Sequence, residues 1–178
     1  MDTPPETLSR DFVELRRWRA TDGDLVFQLV TESLEHLKPW LNWASDAYSP
    51  GDAAAYAGRC ETGWDTGEAF QYLILSDGKP AGSAGLMARI GEGGLEIGYW
   101  VHPEFTGRGV ATATAAALTD AALALPGIDH VEIHHDTLNL ASGRVPAKLG
   151  YTPAGTLEAG FAPAPACSGT MKVWRITG

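Results

Sequence analysis

The first clear pattern in the chain is alternation. Asp11–Arg19 switches between apolar and polar side chains with the period of a half-buried strand. The period then lengthens. Val26, Val30, Ser33 and Leu37 fall at helical spacing, after a cap signature at Thr21-Asp-Gly-Asp24 and before Pro39. Lys38–Ala44 reads as an aromatic-bearing loop, and a second helix is predicted over 52–64. Strands follow at 70–75, at 81–89 beyond the Asp77-Gly78 turn, and at 95–101 beyond Gly91–Gly94. The order then changes to helix 108–125, strand 130–137, helix 139–149 and closing strands 152–157 and 170–176. Hairpins leading into β-α-β-α-β-β predict an α+β fold, with a mixed, mostly antiparallel sheet of about seven strands and about four helices. No repeat or linker interrupts the pattern, so one domain over 1–178 is expected, with 1–10 a flexible N-terminal segment.

Composition narrows the function classes. With 178 residues, 44% hydrophobic and 20% charged, the chain can bury an ordinary core. A formal net charge of −9 argues against a nucleic-acid partner, which needs a basic footprint. The same charge would attract a cationic substrate such as an amine, or simply keep the surface solvated. No apolar run approaches the roughly 18 residues of a membrane span. Met1–Glu6 has neither a basic nor an apolar signal region, so a cytoplasmic protein without membrane contact is expected. Cys60 and Cys167 match no metal or redox spacing and suit a reducing compartment as buried spectators. No cluster of His, Cys, Asp and Glu has ligand spacing, so no metal is expected.

Chemistry concentrates in the run Glu96–Thr112. A strand ends at Pro103, and the turn Thr106-Gly-Arg-Gly109 opens into an alanine-rich helix. Free N–H groups at a helix start, beside glycines, form a cradle for an anion such as pyrophosphate. Neither a Walker-type phosphate loop nor a dinucleotide fingerprint is present. On the preceding strand, alternation puts Glu96, Gly98 and Trp100 on one face and Leu95, Ile97, Tyr99 and Val101 on the other. Glu96 is either a general base beside the open space at Gly98 or a solvated outer-face residue. Further on, Asn139 reads as an N-cap that places Ser142 in the first turn of a helix, where the dipole favours a nearby thiolate. Pro146 is an anomaly inside that helix, because it cannot donate a hydrogen bond to the Ser142 carbonyl. His102, His134 and His135 are alternative bases. Trp40 and Trp43 either wall a substrate pocket or form a minor core.

Gly107-Arg-Gly-Val-Ala111 resembles the acyl-CoA pyrophosphate loop of the GNAT acetyltransferase superfamily. The resemblance extends through Ile97–Pro103, Asn139–Ser142 and Lys148–Tyr151, and is most similar to the RimL-type branch of ribosomal protein N-terminal acetyltransferases. Leu37–Trp43 is similar to a Trp-containing loop of that branch, whereas Thr106 stands where the superfamily carries Gln or Arg. This resemblance implies a GNAT fold with splayed fourth and fifth strands, and acetyl-CoA as cosubstrate. It implies phosphate contacts at Gly107, Arg108, Gly109, Val110, Ala111 and Thr112, and contacts to the pantetheine arm at Asn139 and at the backbone of Trp100 and Val101; Arg144 either reaches the phosphates or is a solvated helix-face residue. It further implies direct attack by an amine in a ternary complex, with Glu96 as base and Ser142 as acid. The acceptor is a peptide N-terminal α-amine or a small amino-bearing metabolite or antibiotic. Ala159–Cys167 is apolar and proline-rich where RimL-like relatives are commonly polar and basic, which leaves room for the small amine. A CoA-binding regulatory module, or an acyltransferase using another acyl-CoA, is the alternative. Homodimers are common among relatives.

Overall fold

The computed structural model describes residues 2–178. Its N-terminal half contains β1 (Thr7–Arg10), β2 (Val13–Arg17), α1 (Gly23–Leu37), α2 (Pro50–Thr66), β3 (Ala69–Ser76) and β4 (Lys79–Met87). The rest comprises β5 (Gly94–Val101), α3 (Val110–Leu123), β6 (His130–Asp136), α4 (Leu140–Lys148), β7 (Thr152–Glu158) and β8 (Thr170–Thr177). One sheet holds eight strands in the order β1-β2-β3-β4-β5-β6-β8-β7. Every pairing is antiparallel except that of β5 with β6, which α3 connects. The expected α+β architecture is present, with four α-helices on a mixed sheet.

The extra strand lies in the segment expected to be flexible. Thr7–Arg10 pairs with Arg16–Val13, Leu8 packs on the main core, and Arg10 reaches Asp120 of α3. Four residues with one apolar position carry too little periodicity to announce a strand, so that expectation is corrected. Helix starts also differ from the sequence reading. Ala20–Asp22 forms a short 3-10 turn, and Asp22 accepts a hydrogen bond from the Arg19 backbone at 2.8 Å. α2 begins earlier, at Pro50, because Ser49 and Asp52 bond each other's backbone N–H at 3.2 and 2.8 Å in a reciprocal cap.

Apolar residues cover both faces of the sheet. Against α3 lies a cluster that includes Leu15, Phe70, Ile74, Leu95, Ile97, Leu118, Val131 and Ile133. The alanines of α3 let this helix sit close to the strands. On the opposite face, Trp18, Val26, Leu29, Val30, Ala53, Cys60 and Leu73 join α1 and α2 to the sheet. Cys60 is buried as expected, while Cys167 is partly exposed, and both are free thiols. Among the described residues no helix is long and apolar enough to cross a membrane.

The parallel pair β5–β6 sets the position of the site. Their pairing runs from Gly94 with His130 to Ile97 with Ile133 and stops there, although β5 continues to Val101 and β6 to Asp136. The strands splay, leaving a wedge whose β5 edge is the backbone of Gly98–Val101. On its other side β5 remains paired with β4, up to Gly82 opposite Val101. Gly82 has φ 149°, and a Cβ there would collide with the Trp100 carbonyl oxygen. Gly82→Ala is therefore expected to destabilise the protein by about 3 kcal/mol through strain and overpacking, measured by denaturant unfolding; a loss under about 0.5 kcal/mol would contradict this account of the β4–β5 contact.

Candidate active site

Three openings converge on the wedge. The largest, about 1050 Å³, runs from Trp40 and Trp43 past Glu96, Gly98, His134 and Ser142 to the 159–169 loop. A second, about 400 Å³, continues toward the start of α3 and is lined by Val101, Gly107, Gly109 and Val110–Thr112 together with Asn139, Ser142 and Arg144. A third, about 870 Å³, lies over the α1–α2 face and meets the first at Gly98, Tyr99, Arg89, Leu41 and Trp43. Gly98 thus leaves the floor open between two clefts, since a Cβ there would meet only Met87.

At the end toward α3, Gly107 and Gly109 take positive φ of 72° and 80°, which turns the chain directly into the helix. The first intrahelical bond runs from the Ala113 N–H to the Gly109 carbonyl, so the N–H groups of Val110, Ala111 and Thr112 precede the ladder. These free N–H groups lie where the sequence reading places an anion cradle. Thr106 spends its hydroxyl on the Pro103 carbonyl at 2.9 Å, and so closes the turn. Arg108 lies over the Phe105 ring and lines a separate small cavity with Phe12, whereas Arg144 and Lys148 flank the cleft itself. Lys148 was not singled out by sequence reasoning, although a cation one turn after Arg144 was a readable signal.

In the middle of the wedge, Asn139 accepts a hydrogen bond from the Ser142 N–H at 3.2 Å and caps α4. The anomaly at Pro146 finds its answer here. The Ser142 carbonyl, which lacks a helical donor, accepts a bond from the Tyr99 hydroxyl at 3.0 Å, and the Ser142 hydroxyl lies 3.3 Å from the same oxygen. Burial pushes the Tyr99 phenol up to about 12 despite the bond with Ser142, so near neutrality it is a donor. The buried side of α4 is formed by Gly143, Val145 and Pro146, while Ala141 is exposed. A Cβ at Gly143 would come within 2.7 Å of His135 Nε2, so the helix uses a glycine to rest on that ring.

At the far end, Glu96 is buried, at 5% exposure, and not solvated. Arg89 donates to both of its oxygens, from Nε at 2.7 Å and Nη2 at 2.6 Å. His134 Nδ1 stands 3.7 Å from Glu96 Oε2, and His134 Nε2 lies 2.6 Å from Glu132 Oε2. Arg175 Nε bonds the other Glu132 oxygen at 2.8 Å. Burial raises the Glu132 carboxyl, but the bonds from His134 and Arg175 outweigh it and hold the group below the usual carboxylate range. The other two candidate histidines are occupied. His102 Nδ1 accepts from the Glu104 N–H while its Nε2 faces Glu32. His135 donates from Nδ1 to the Asp136 carbonyl and accepts from the Trp174 indole at Nε2.

Trp40 and Trp43 both line the large cleft, and their loop is stitched to the opposite wall. Asn42 donates to the Ala162 carbonyl at 3.0 Å, the Ala166 N–H to the Pro39 carbonyl at 2.8 Å, and the Cys167 thiol to the Trp40 carbonyl. Sequence reasoning missed Arg89, Glu132 and Arg175. Glu132 and His134 were legible as ionisable residues two apart, and so on one face of the strand. The arginines come from a strand end and the last strand, with no local mark. Among the described residues no group of three or more His, Cys, Asp and Glu side chains could hold a metal ion.

Residues 13–152 match the family model described as the Acetyltransferase (GNAT) domain. The chain belongs to the GNAT acetyltransferase family. Known GNAT structures share this fold over nearly the whole chain. RimL, a ribosomal L7/L12 alpha-N-protein acetyltransferase in complex with coenzyme A, has a TM-score of 0.86 at 21% identity, with 97% of this chain and 98% of that one covered. RimJ of Mycobacterium smegmatis, in complex with CoA-disulfide, has a TM-score of 0.85 at 21% identity, covering 99% and 90%. In sequence, YdaF of Bacillus subtilis (strain 168), provisionally named as a ribosomal N-acetyltransferase, is 25% identical over 157 residues, 85% of this chain and 84% of that protein. In this GNAT chain the Tyr99–Ser142 contact crosses the wedge. Tyr99→Phe leaves the half-buried Ser142 carbonyl without its side-chain donor, and is expected to cost about 1 kcal/mol by thermal or denaturant unfolding; an unchanged stability would refute the bridging role.

Proposed function

We propose that this protein transfers the acetyl group of acetyl-CoA to a primary amine by direct attack in a ternary complex. The observation that carries this reading is the continuity of one cleft, from the N–H cradle of α3 through Ser142 to buried Glu96. Coenzyme A fits the donor set. The cradle amides with Arg144 suit the diphosphate, Asn139 and the backbone of Trp100 and Val101 suit the pantetheine arm, and Ser142 suits the sulfur. Gly107, Gly109, Val110, Ala111 and Thr112 belong to the diphosphate grip in this reading. Arg108, stacked on Phe105 outside the cleft, remains a cation at its margin.

An alkylammonium must lose two protons to become an amide. Glu96 takes the first, directly or through water, and the freed lone pair attacks the thioester carbon. Strand amides at the β5 edge of the wedge favour the developing oxyanion. As the C–S bond breaks, the thiolate receives the Ser142 proton, and the serine regains one from the nitrogen of the collapsing intermediate. The charge of the new thiolate is favoured by the start of α4.

The acceptor enters between Trp40, Trp43 and the 159–169 loop. Membership of the RimJ/RimL branch, supported by the names of the relatives above, favours a peptide or protein α-amine. The apolar rim Ala159–Cys167 favours a small amine. A panel of peptides and small amines, read by thiol release, separates the two. With the best acceptor, Glu96→Gln and Ser142→Ala are each expected to lower kcat by about 10²-fold or more. Their affinity for CoA, read by calorimetry, is expected to stay within about threefold, a shift under ~0.7 kcal/mol. Absence of CoA binding by the folded protein would overturn the reading, and an unimpaired Glu96→Gln would remove Glu96 from it.

A further inference from the structure

Among the ionisable groups of the cleft that the proposed chemistry does not use, His134 has a ring nitrogen turned toward Glu96. His134 lies on β6 between two buried carboxylates, Glu96 on β5 and Glu132 on its own strand, and its side chain is 10% exposed. Its two ring nitrogens are in different situations. Nε2 is within hydrogen-bond distance of Glu132 Oε2, at 2.6 Å, whereas Nδ1 has only Glu96 Oε2 before it, at 3.7 Å. Glu132 is held ionised by His134 and Arg175, against the opposing effect of burial. An ionised carboxylate accepts hydrogen bonds and donates none, so neutral His134 must carry its proton on Nε2. The lone pair is then on Nδ1, facing Glu96.

Glu96 already has a donor on each of its oxygens. Arg89 donates to both of its oxygens, and a proton on either one displaces part of that bidentate grip. We propose that His134 is the second station for the proton removed from the acceptor amine, drawing it from Glu96 onto Nδ1. This inference rests on the acetyltransfer reading above and extends it. In the first step an ammonium N–H bond breaks, its electron pair stays on nitrogen, and an O–H bond forms on Glu96. In the second step that O–H bond breaks and an N–H bond forms at Nδ1. The product is an imidazolium between two carboxylates, with the Arg89–Glu96 pair restored. Glu132 thereby serves as a positioning residue, fixing which nitrogen is basic in the manner of the carboxylate in a catalytic triad.

The charged groups that surround His134 are Arg89 beside β5, Glu96 on β5, Glu132 and Asp136 on β6, and Arg175 on β8. Asp136 is committed elsewhere, accepting from the backbone N–H groups of Leu138, Ser168 and Gly169. His135, the neighbouring histidine, has both nitrogens bonded on the other face and cannot substitute.

Two measurements on the full-length protein test the proposal. The first needs no turnover: proton–nitrogen correlation spectra of the wild type, with His134→Asn for assignment, are expected to show the Nε2–H tautomer. An Nδ1–H tautomer overturns the relay whatever the enzyme acetylates. The second is the pH profile of kcat/KM with acetyl-CoA and the best amine of the panel. Wild type is expected to show an acid limb, the signature of a group that must be deprotonated to accept the proton. His134→Asn is expected to lose that limb and to lower kcat by about 10²-fold or more, with CoA affinity unchanged. Glu132→Gln, which keeps the imidazole but lets the tautomer invert, is expected to give a smaller loss and a displaced limb. A His134→Asn protein that binds CoA and retains both the wild-type rate and limb overturns the relay while leaving acetyl transfer intact. A wild type with the Nε2–H tautomer that acetylates no amine sinks the acetyltransfer reading, and the relay with it.

Discussion

The separation of β5 from β6 beyond Ile97 and Ile133 is the constraint on which the rest of this molecule depends. Two parallel strands that stayed paired would consume the backbone groups of Gly98–Val101 in a ladder and leave no space between them. Parting costs the sheet several hydrogen bonds at its centre, and something must hold the gap at a fixed width. Tyr99 does so. Its ring leaves β5 on the α3 side, and its hydroxyl meets the carbonyl that Pro146 has left free in α4. The proline and the tyrosine are complementary: one creates an orphan acceptor, the other supplies its donor. The same contact fixes Ser142 within reach of the cleft.

Charge is arranged around the gap with similar economy. Facing the α1–α2 side, β5 and β6 present Glu96, Glu132 and His134, all largely screened from water. Isolated carboxylates there would be costly to bury. Arg89 and Arg175 offset the two charges from the rim, keeping their own heads partly in solvent. The result is a floor in which each buried carboxylate has a guanidinium partner.

Much of this was legible in the chain, for physical reasons that differ by element. The strands and helices announced themselves through period, because one face of each packs on a core. The phosphate turn did so through glycines whose positive φ no other residue takes cheaply. Glu96 stood out as a carboxylate in an apolar strand, and its face was read correctly, but its arginine was not. Arg89 is near Glu96 only because the hairpin at Gly91–Gly94 folds it back, and Arg175 meets Glu132 only through β8 pairing with β6. Such partners are set by topology, and no local spacing encodes them. β1 escaped notice because four residues cannot display a period. Pro146 was recognised as a break in the helix rule, yet its partner sits forty-three positions or more upstream in sequence, where only the folded sheet brings it close.

Two walls of the large cleft come from distant parts of the chain, and they are fastened together. Asn42 binds the carbonyl of Ala162, Pro39 receives the N–H of Ala166, and Trp40 receives the Cys167 thiol. Neither wall can shift alone without breaking bonds to the other. The loop after α1 and the loop before β8 thus form a single mechanical unit despite a separation of 120 residues.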